Sequence, residues 1–254
     1  MTILAVITAH CRDLATICLT SLQRHAPEIN RLIVTTDASC QGLADWFAPS
    51  VEVHLKAPPG GAANHAAALE VARRTIPICA PLITPSPDIV LCLDDDVELL
   101  SAQFLPRLEQ AFHDPGVWMW GAEGIRDPLH PSCLAVRRSA FLYGPPFQAA
   151  LPDHDTTGVF QAHQRAFGRR FASVPRTVAP EGWETFDGLW AHLGGGVIHS
   201  RVPWWRRAGR HVKATLGNEA SRDLIVKARM RERWVETYGG DNAQSRHTRA
   251  ALRP

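Results

Sequence analysis

The stretch Ile89-Val90-Leu91-Cys92-Leu93-Asp94-Asp95-Asp96 joins an unbroken apolar run to three consecutive carboxylates. Such a run is typical of a parallel strand that is buried on both faces of its sheet. Adjacent carboxylates raise one another's pKa, so three in a row are unfavourable unless a positive charge compensates them. Mg²⁺ and Mn²⁺ prefer carboxylate oxygens, and alternate residues of a strand share a face. We therefore expect Asp94 and Asp96 to face a divalent cation together, with Asp95 pointing elsewhere.

Two other interpretations of this acidic run are open. The three residues could simply end a strand and cap a helix that begins near Ser101. A phosphatase or another phosphoryl-transfer enzyme could also use these carboxylates, together with a nucleophile or a general acid at a fixed offset.

The residues before this run alternate between strand-like and helix-like segments. We predict strands at 3–7, 31–36, 51–55 and 89–93, and helices at 13–25, with Asp13 as N-cap, and at 62–74. This alternation implies an open parallel sheet whose ligands bind beyond the carboxyl ends of the strands. Polar groups follow three of the strands there, at 10–13, 36–39 and 94–96. The sequence therefore predicts a polar site along one rim.

The pattern loosens after residue 100. We predict a helix that Ser101 caps and that runs to about 113, then a strand at 117–120. The stretch 125–150 is rich in Pro, Gly and aromatic residues, which favours a substrate-facing layer over another strand–helix repeat. A last helix is predicted at 218–238.

Composition and charge limit the classes of protein that fit. The chain has 254 residues, of which 45% are apolar and 20% charged, as in globular proteins, and no apolar run reaches the ~20 residues that cross a bilayer. The six cysteines form no C-x-x-C pair and the start shows no leader pattern, so we expect buried thiols and a cytoplasmic location.

Positive charge is concentrated at the C-terminal end. Residues 201–254 contain 13 Lys and Arg against 5 Asp and Glu, whereas the first 200 contain 14 against 20. A basic tail could contact a diphosphate or an anionic membrane surface, or could be a solvated helix face. It has no nucleic-acid recognition motif, so we expect no nucleic-acid partner.

Several motifs, in order, resemble the family 2-like glycosyltransferases of GT-A fold over about residues 1–200. The stretch 5–10 is similar to the family's first nucleotide-binding strand, and 36–39 to its D-D-G-S turn, with Asp37 on the second acidic position and Thr36 on the first. The stretch 60–69 is similar to the glycine-led helix start, and 93–97 to the D-x-D signature. The resemblance implies an α/β fold with an open, mostly parallel sheet flanked by helices, made of a Rossmann-like nucleotide half and an acceptor half.

The resemblance also implies roles for individual residues. Asp94 would contact the ribose or a metal-bound water, and Asp96 would ligate Mg²⁺ or Mn²⁺. His192, which precedes three glycines, is preferred to His199 as a second metal ligand. The residues assigned to the nucleotide-sugar donor are Thr8, His10, Arg12, Asp37, Asn64, Asp94 and Asp95.

The resemblance further implies that an acidic residue several positions before a helix ending in glycine, here near 166–168, is the general base of an inverting enzyme. Asp155 is the preferred candidate because it begins an Asp-Thr-Thr-Gly run, and Asp153 is the alternative. Either residue could instead cap the helix through His163. Retaining GT-A enzymes share the same D-x-D and metal, so inversion depends on this one carboxylate.

The expected function is transfer of a sugar from a nucleotide-diphosphate donor to the hydroxyl of an acceptor, which could be a glycan, lipid-linked or a small molecule. A nucleotidyltransferase that acts on a sugar phosphate is the alternative enzyme, although residues 8–13 lack the glycines of that class. A non-catalytic nucleotide-sugar-binding protein of the same fold is the other alternative. We expect one catalytic domain at 1–215, with a nucleotide-binding half (1–100) and an acceptor half (101–215), followed by a basic helix and tail at 216–254.

Overall fold

The computed structural model describes residues 1–36, 40–47, 50–55, 61–79, 86–149, 151, 153–178 and 183–193. The predicted C-terminal helix and tail lie outside these ranges. The described strands are β1 (Ile3–Ala9), β2 (Leu32–Thr36), β3 (Ser50–His54), β4 (Ile89–Asp94), β5 (Val97–Leu99), β6 (Val117–Glu123), β7 (Leu129–Arg137), β8 (Arg170–Val174), β9 (Arg176–Val178), β10 (Glu184–Phe186) and β11 (Trp190–His192). The α-helices are α1 (Arg12–His25), α2 (Gly61–Ile78), α3 (Phe104–His113), α4 (Arg138–Tyr143) and α5 (Gly158–Ala166), and a 3₁₀ helix spans Ala44–Trp46.

The main sheet has seven strands in the order β3-β2-β1-β4-β7-β6-β8. The strands predicted before residue 100 form its parallel part, with β1 between β2 and β4. Strand β7 runs antiparallel to both β4 and β6, and β8 is parallel to β6. The predicted α/β sheet is therefore confirmed as mostly parallel, and its strand–helix repeat ends at β4.

Helices cover both faces of this sheet because its central strands are apolar on both faces. All residues of β1 are buried, and they alternate between the two layers. Ala5 and Ile7 face the layer of α1 and α3. Leu4 and Val6 face the layer of α2, α4 and α5.

A second, smaller sheet was not predicted. It has the order β5-β11-β10-β9, and its strands are short and antiparallel. Val97, which directly follows the acidic run, pairs with His192. This pairing brings a residue from the far end of the described chain to the carboxyl end of β4.

Two predicted helix caps are wrong. The N-cap of α1 is Cys11, so Asp13 lies inside the first turn. The N-cap of α3 is Gln103, without a side-chain cap bond, because Ser101 forms a turn before the helix. In that turn the Ser101 hydroxyl accepts a hydrogen bond from the Gln103 N–H at 3.1 Å, and its carbonyl accepts one from the Phe104 N–H at 3.1 Å.

The cysteines and helices agree with two expectations from composition. All six cysteines lie in the described part of the chain; none forms a disulfide, and five are buried. Among the helices of that part, none combines the length and the apolar character that a bilayer crossing needs.

Candidate functional site

Asp95 turns away from its two neighbours, as the alternation along a strand predicts. Its Oδ2 accepts hydrogen bonds from the backbone N–H groups of His10 at 2.7 Å and Cys11 at 2.6 Å. The carboxylate therefore satisfies donors at the start of α1, where Cys11 has no side-chain cap bond of its own. Burial and the charge of Asp96 raise the pKa of the Asp95 carboxyl well above its usual value. The contact of Asp95 with the donor stays a prediction; in this structure its Oδ2 binds the protein backbone.

Replacing Asp95 with alanine should destabilise the fold. The change would leave two backbone N–H groups buried without this acceptor, and each such group costs about 1–3 kcal/mol. We expect the free energy of unfolding, measured by urea denaturation, to fall by about 3 kcal/mol. Asp13→Ala, on the exposed side of α1, is the matched control and should cost less than about 1 kcal/mol. Equal losses in the two variants would contradict a capping role for Asp95.

Asp94 ends β4 and lies against His65, a residue of α2. His65 Nδ1 is 2.6 Å from Asp94 Oδ1, and the Thr8 hydroxyl donates to the same oxygen at 3.1 Å. Burial alone would lower the pKa of His65, but the Asp94 carboxylate outweighs burial, and the pKa is raised. Thr8, predicted as a donor contact, thus orients Asp94 in this structure. His65 was not singled out from the sequence, although it directly follows Asn64 in a stretch that carries the resemblance.

Asp96 is buried and faces His192. His192 Nε2 is 3.3 Å from Asp96 Oδ1. Asp94, Asp96 and His192 each offer one ligand atom, and these atoms all lie within 4.8 Å of one another. Burial alone would lower the pKa of His192, but Asp96 and Glu184 outweigh burial and raise it to about 10. Two carboxylate oxygens and one imidazole nitrogen form a donor set that suits Mn²⁺ and, less strongly, Mg²⁺.

A second cluster of possible metal ligands lies on the Nδ1 side of the His192 imidazole. Ligand atoms of His130, Glu184 and His192 also lie within 4.8 Å of one another. Glu184 Oε2 is 3.1 Å from His192 Nδ1 and 3.4 Å from His130 Nε2. Burial and the neighbouring His192 lower the pKa of His130 to about 4, so His130 is neutral at pH 7. Neither His130 nor Glu184 was predicted from the sequence.

The candidate bases Asp153 and Asp155 differ in their surroundings. Asp153 is exposed, whereas Asp155 is partly buried and its N–H donates to Asp127 Oδ2 at 2.6 Å. Burial, and after it the charge of Asp127, raises the pKa of Asp155, and the charges of Asp94 and His65 also act on it. The capping alternative is wrong for both aspartates, because the N-cap of α5 is Thr157, without a side-chain cap bond.

Asp127 organises the loop that carries Asp155. Its side chain is only 3% exposed, and His154 Nδ1 lies 2.7 Å from its Oδ1. A Cβ on Gly158, the first residue of α5, would come within 2.4 Å of both carboxylate oxygens, so this approach requires glycine. Sequence reasoning missed Asp127, which stands in a Pro- and Gly-rich loop without a local sign of its role.

The other predicted site residues are not all described. His10 is buried and donates its N–H to Asp95, and Arg12 Nη1 donates to the Gln41 carbonyl at 3.4 Å. Asp37, the side chain of Asn64, and His199 lie outside the part of the chain that the structure describes.

Comparison with solved structures gives matches at low sequence identity. A mannosyltransferase from Pyrobaculum calidifontis, solved in complex with GDP-Man and Mn²⁺, matches with a TM-score of 0.54 and 15% identity, over 99% of this chain and 80% of that one. Glucosyl-3-phosphoglycerate synthase from Mycobacterium tuberculosis, in complex with Mn²⁺, UDP-glucose and phosphoglyceric acid, has a TM-score of 0.44 and 18% identity, over 68% of this chain and 69% of that one. A candidate glucose-1-phosphate thymidylyltransferase from Bacillus anthracis has a TM-score of 0.45 and 11% identity, over 74% and 90% of the two chains.

No protein-family model matches the sequence, and no curated protein does. The likeness to known proteins is therefore a likeness of fold. The mannosyltransferase has the highest TM-score of these three and is matched over nearly the whole of this chain. Its likeness agrees with the sheet order and with the parallel strands that lead to the acidic run. This protein has the GT-A fold, as its motifs predicted.

Proposed function

We propose that this protein is a divalent-metal-dependent glycosyltransferase that moves a sugar from a nucleotide-diphosphate donor to an acceptor hydroxyl. One observation supports the proposal above others: His192, far along the sequence from Asp94 and Asp96, comes together with them at the carboxyl end of β4 in a GT-A fold. In this class of sheet, ligands bind at that end. The mannosyltransferase of similar fold was solved with a nucleotide sugar and Mn²⁺.

The three converging side chains would hold the metal and leave positions for diphosphate oxygens. Mg²⁺ or Mn²⁺ bound there would neutralise charge that develops on the departing nucleoside diphosphate. Asp94 is kept in place by Thr8 and His65, at 3.1 and 2.6 Å. Asp96 is buried beside His192, so water has little access to that side of the site.

Asp155 is the residue that we assign to proton removal from the acceptor hydroxyl, which makes the transfer inverting. A general base works best when its pKa lies near the working pH. The raised pKa of Asp155 supports this role, and its hydrogen bond to Asp127 fixes the backbone that carries it. Asp153 lacks these surroundings in the structure.

The broader organisation belongs to the same proposal. Residues 1–215 would form the catalytic domain, with the donor on the 1–100 half and the acceptor on the 101–215 half. The basic segment 216–254 would contact an anionic membrane surface, and the protein would act in the cytoplasm. The family 2-like motifs support this organisation, and a hexose is the sugar class they favour.

A thermal-shift panel tests the proposal. We expect UDP, GDP or dTDP to raise the melting temperature by about 5–10 °C at ~100 times its Kd, and only with Mn²⁺ present. The nucleotide that binds then selects the sugar donors for a transfer and hydrolysis assay. Binding without turnover of any donor would favour a non-catalytic protein. Pyrophosphate release from a sugar 1-phosphate and a nucleoside triphosphate would favour a nucleotidyltransferase.

A further inference from the structure

We propose that Glu184 is a positioning residue for the metal site: it holds the His192 imidazole with the proton on Nδ1, so that Nε2 is presented to a divalent cation beside Asp96. This inference rests on the proposed function, because it assumes that His192 ligates the cation. It assigns a role to a residue that neither the motifs nor the fold comparison points to.

The backbone places Glu184 and His192 opposite each other. They are directly paired residues of the antiparallel strands β10 and β11. His192 Nδ1 lies 3.1 Å from Glu184 Oε2, and Nε2 lies 3.3 Å from Asp96 Oδ1 on the other side of the ring. A carboxylate that accepts a hydrogen bond from one ring nitrogen leaves the lone pair of the other for a metal.

Glu184 is itself fixed, so it can impose this orientation. Arg176 donates to Glu184 Oε1 from Nε at 2.9 Å and from Nη2 at 2.5 Å. His130 Nε2 lies 3.4 Å from Oε2, and His130 Nδ1 is in turn 2.8 Å from the Ser132 hydroxyl. Oε1 of Glu184 therefore accepts hydrogen bonds from the arginine, and Oε2 faces the two histidines.

The same contacts make Glu184 a poor ligand for a second cation among His130, Glu184 and His192. The Arg176 guanidinium already provides the positive charge next to this carboxylate. A cation there would be repelled by the guanidinium and would need Nδ1 of His192, the atom that Glu184 engages. We therefore expect a single Mn²⁺ per chain.

Glu184→Gln tests the role without changing the size of the side chain. Arg176 has only donors, so the amide oxygen should turn toward Arg176 and the amide NH₂ toward His192. Nδ1 would then accept a hydrogen bond, and the proton would move to Nε2, which blocks the metal-facing lone pair. We expect the Kd for Mn²⁺, measured by calorimetry on the full chain without donor, to rise about 10- to 100-fold.

Two further measurements separate positioning from a general structural effect. In the double variant Arg176→Leu, Glu184→Gln, the amide oxygen introduced at position 184 no longer has the arginine as a donor partner and can face His192. This variant should regain part of the Mn²⁺ affinity that Glu184→Gln loses. Thr177→Val, on the neighbouring strand, should leave the affinity unchanged, since Thr177 is exposed and its hydroxyl hydrogen-bonds to Thr185.

The outcomes distinguish this inference from the proposed function. If the unmodified protein binds Mn²⁺ and Glu184→Gln binds it equally well, the positioning role is overturned while the metal site stands. If the unmodified protein binds no Mn²⁺, both are overturned.

Discussion

Asp96→Asn should lose about 10³-fold in the rate of sugar transfer, or ~4 kcal/mol of transition-state stabilisation. The amide has the size of the carboxylate but no charge, so it is a weaker ligand and no longer balances the divalent cation. Asp96 is buried, with His192 at 3.3 Å, so water cannot readily replace the missing ligand. Initial rates with a nucleotide-sugar donor and Mn²⁺ would measure the loss of rate. A titration with Mn²⁺ would measure the loss of metal affinity.

Glu28→Gln is a suitable control for this variant. Glu28 is exposed and lies between α1 and β2, at the opposite end of the strands, so the rate should not change. Circular dichroism should show that Asp96→Asn keeps its secondary structure. A wild-type enzyme that retains its full rate after the metal has been stripped would rule out the metal role of Asp96.

The parallel half of the sheet was predictable because its strands carry their own signal. Apart from Thr8 and the terminal Asp94, strands β1 and β4 are apolar and buried, so each must lie between two layers. The extended chain also predicts that Asp95 points away from Asp94 and Asp96, because successive residues of a strand point to opposite sides. The largest boundary differences are at element ends, since α2 continues to Ile78 beyond the predicted 74 and β6 to Glu123 beyond the predicted 120. At the starts of α1 and α3, a distant carboxylate or a preceding turn replaces the expected cap.

The small antiparallel sheet was not predictable in the same way. Its strands have only three residues each, too few to show a hydrophobic period. Strand β5 also pairs across a long separation, Val97 with His192. Glu184 acquires its neighbours Arg176 and His192 through the pairing of β10 with β9 and β11, strands too short to be recognised from the sequence. His192 was proposed from the resemblance, and the ladder explains how it reaches Asp96.

Asp127 and His65 were missed for a different reason. Each is a single polar residue whose role depends on one partner distant in sequence, Asp155 for Asp127 and Asp94 for His65. A lone Asp in a loop or a lone His on a helix is common on protein surfaces, so its sequence context does not separate it from a solvated residue.

Asp155→Asn should reduce the transfer rate by about 10²–10⁴-fold, the usual contribution of a general base, with little change in donor binding. Asp153→Asn is the matched control. Asp153 is exposed, and it is Asp155, not Asp153, whose N–H donates a hydrogen bond to Asp127. The rate of Asp153→Asn should therefore stay close to that of the wild type. The reverse result, with Asp153→Asn inactive and Asp155→Asn active, would assign the base to Asp153.

The pH profile supplies an independent test of the same base through Asp127. A carboxylate base is active when deprotonated, so the rate falls as pH decreases through its pKa. The negative charge of Asp127 raises the pKa of Asp155, as does that of Asp94, whereas Arg126 and His65 lower it. Asp127→Asn removes one of the raising charges, so the acidic limb of kcat/KM should move to lower pH, even where weaker positioning lowers the maximum rate. An acidic limb that stays in place would show that Asp155 is not the group whose titration limits the reaction.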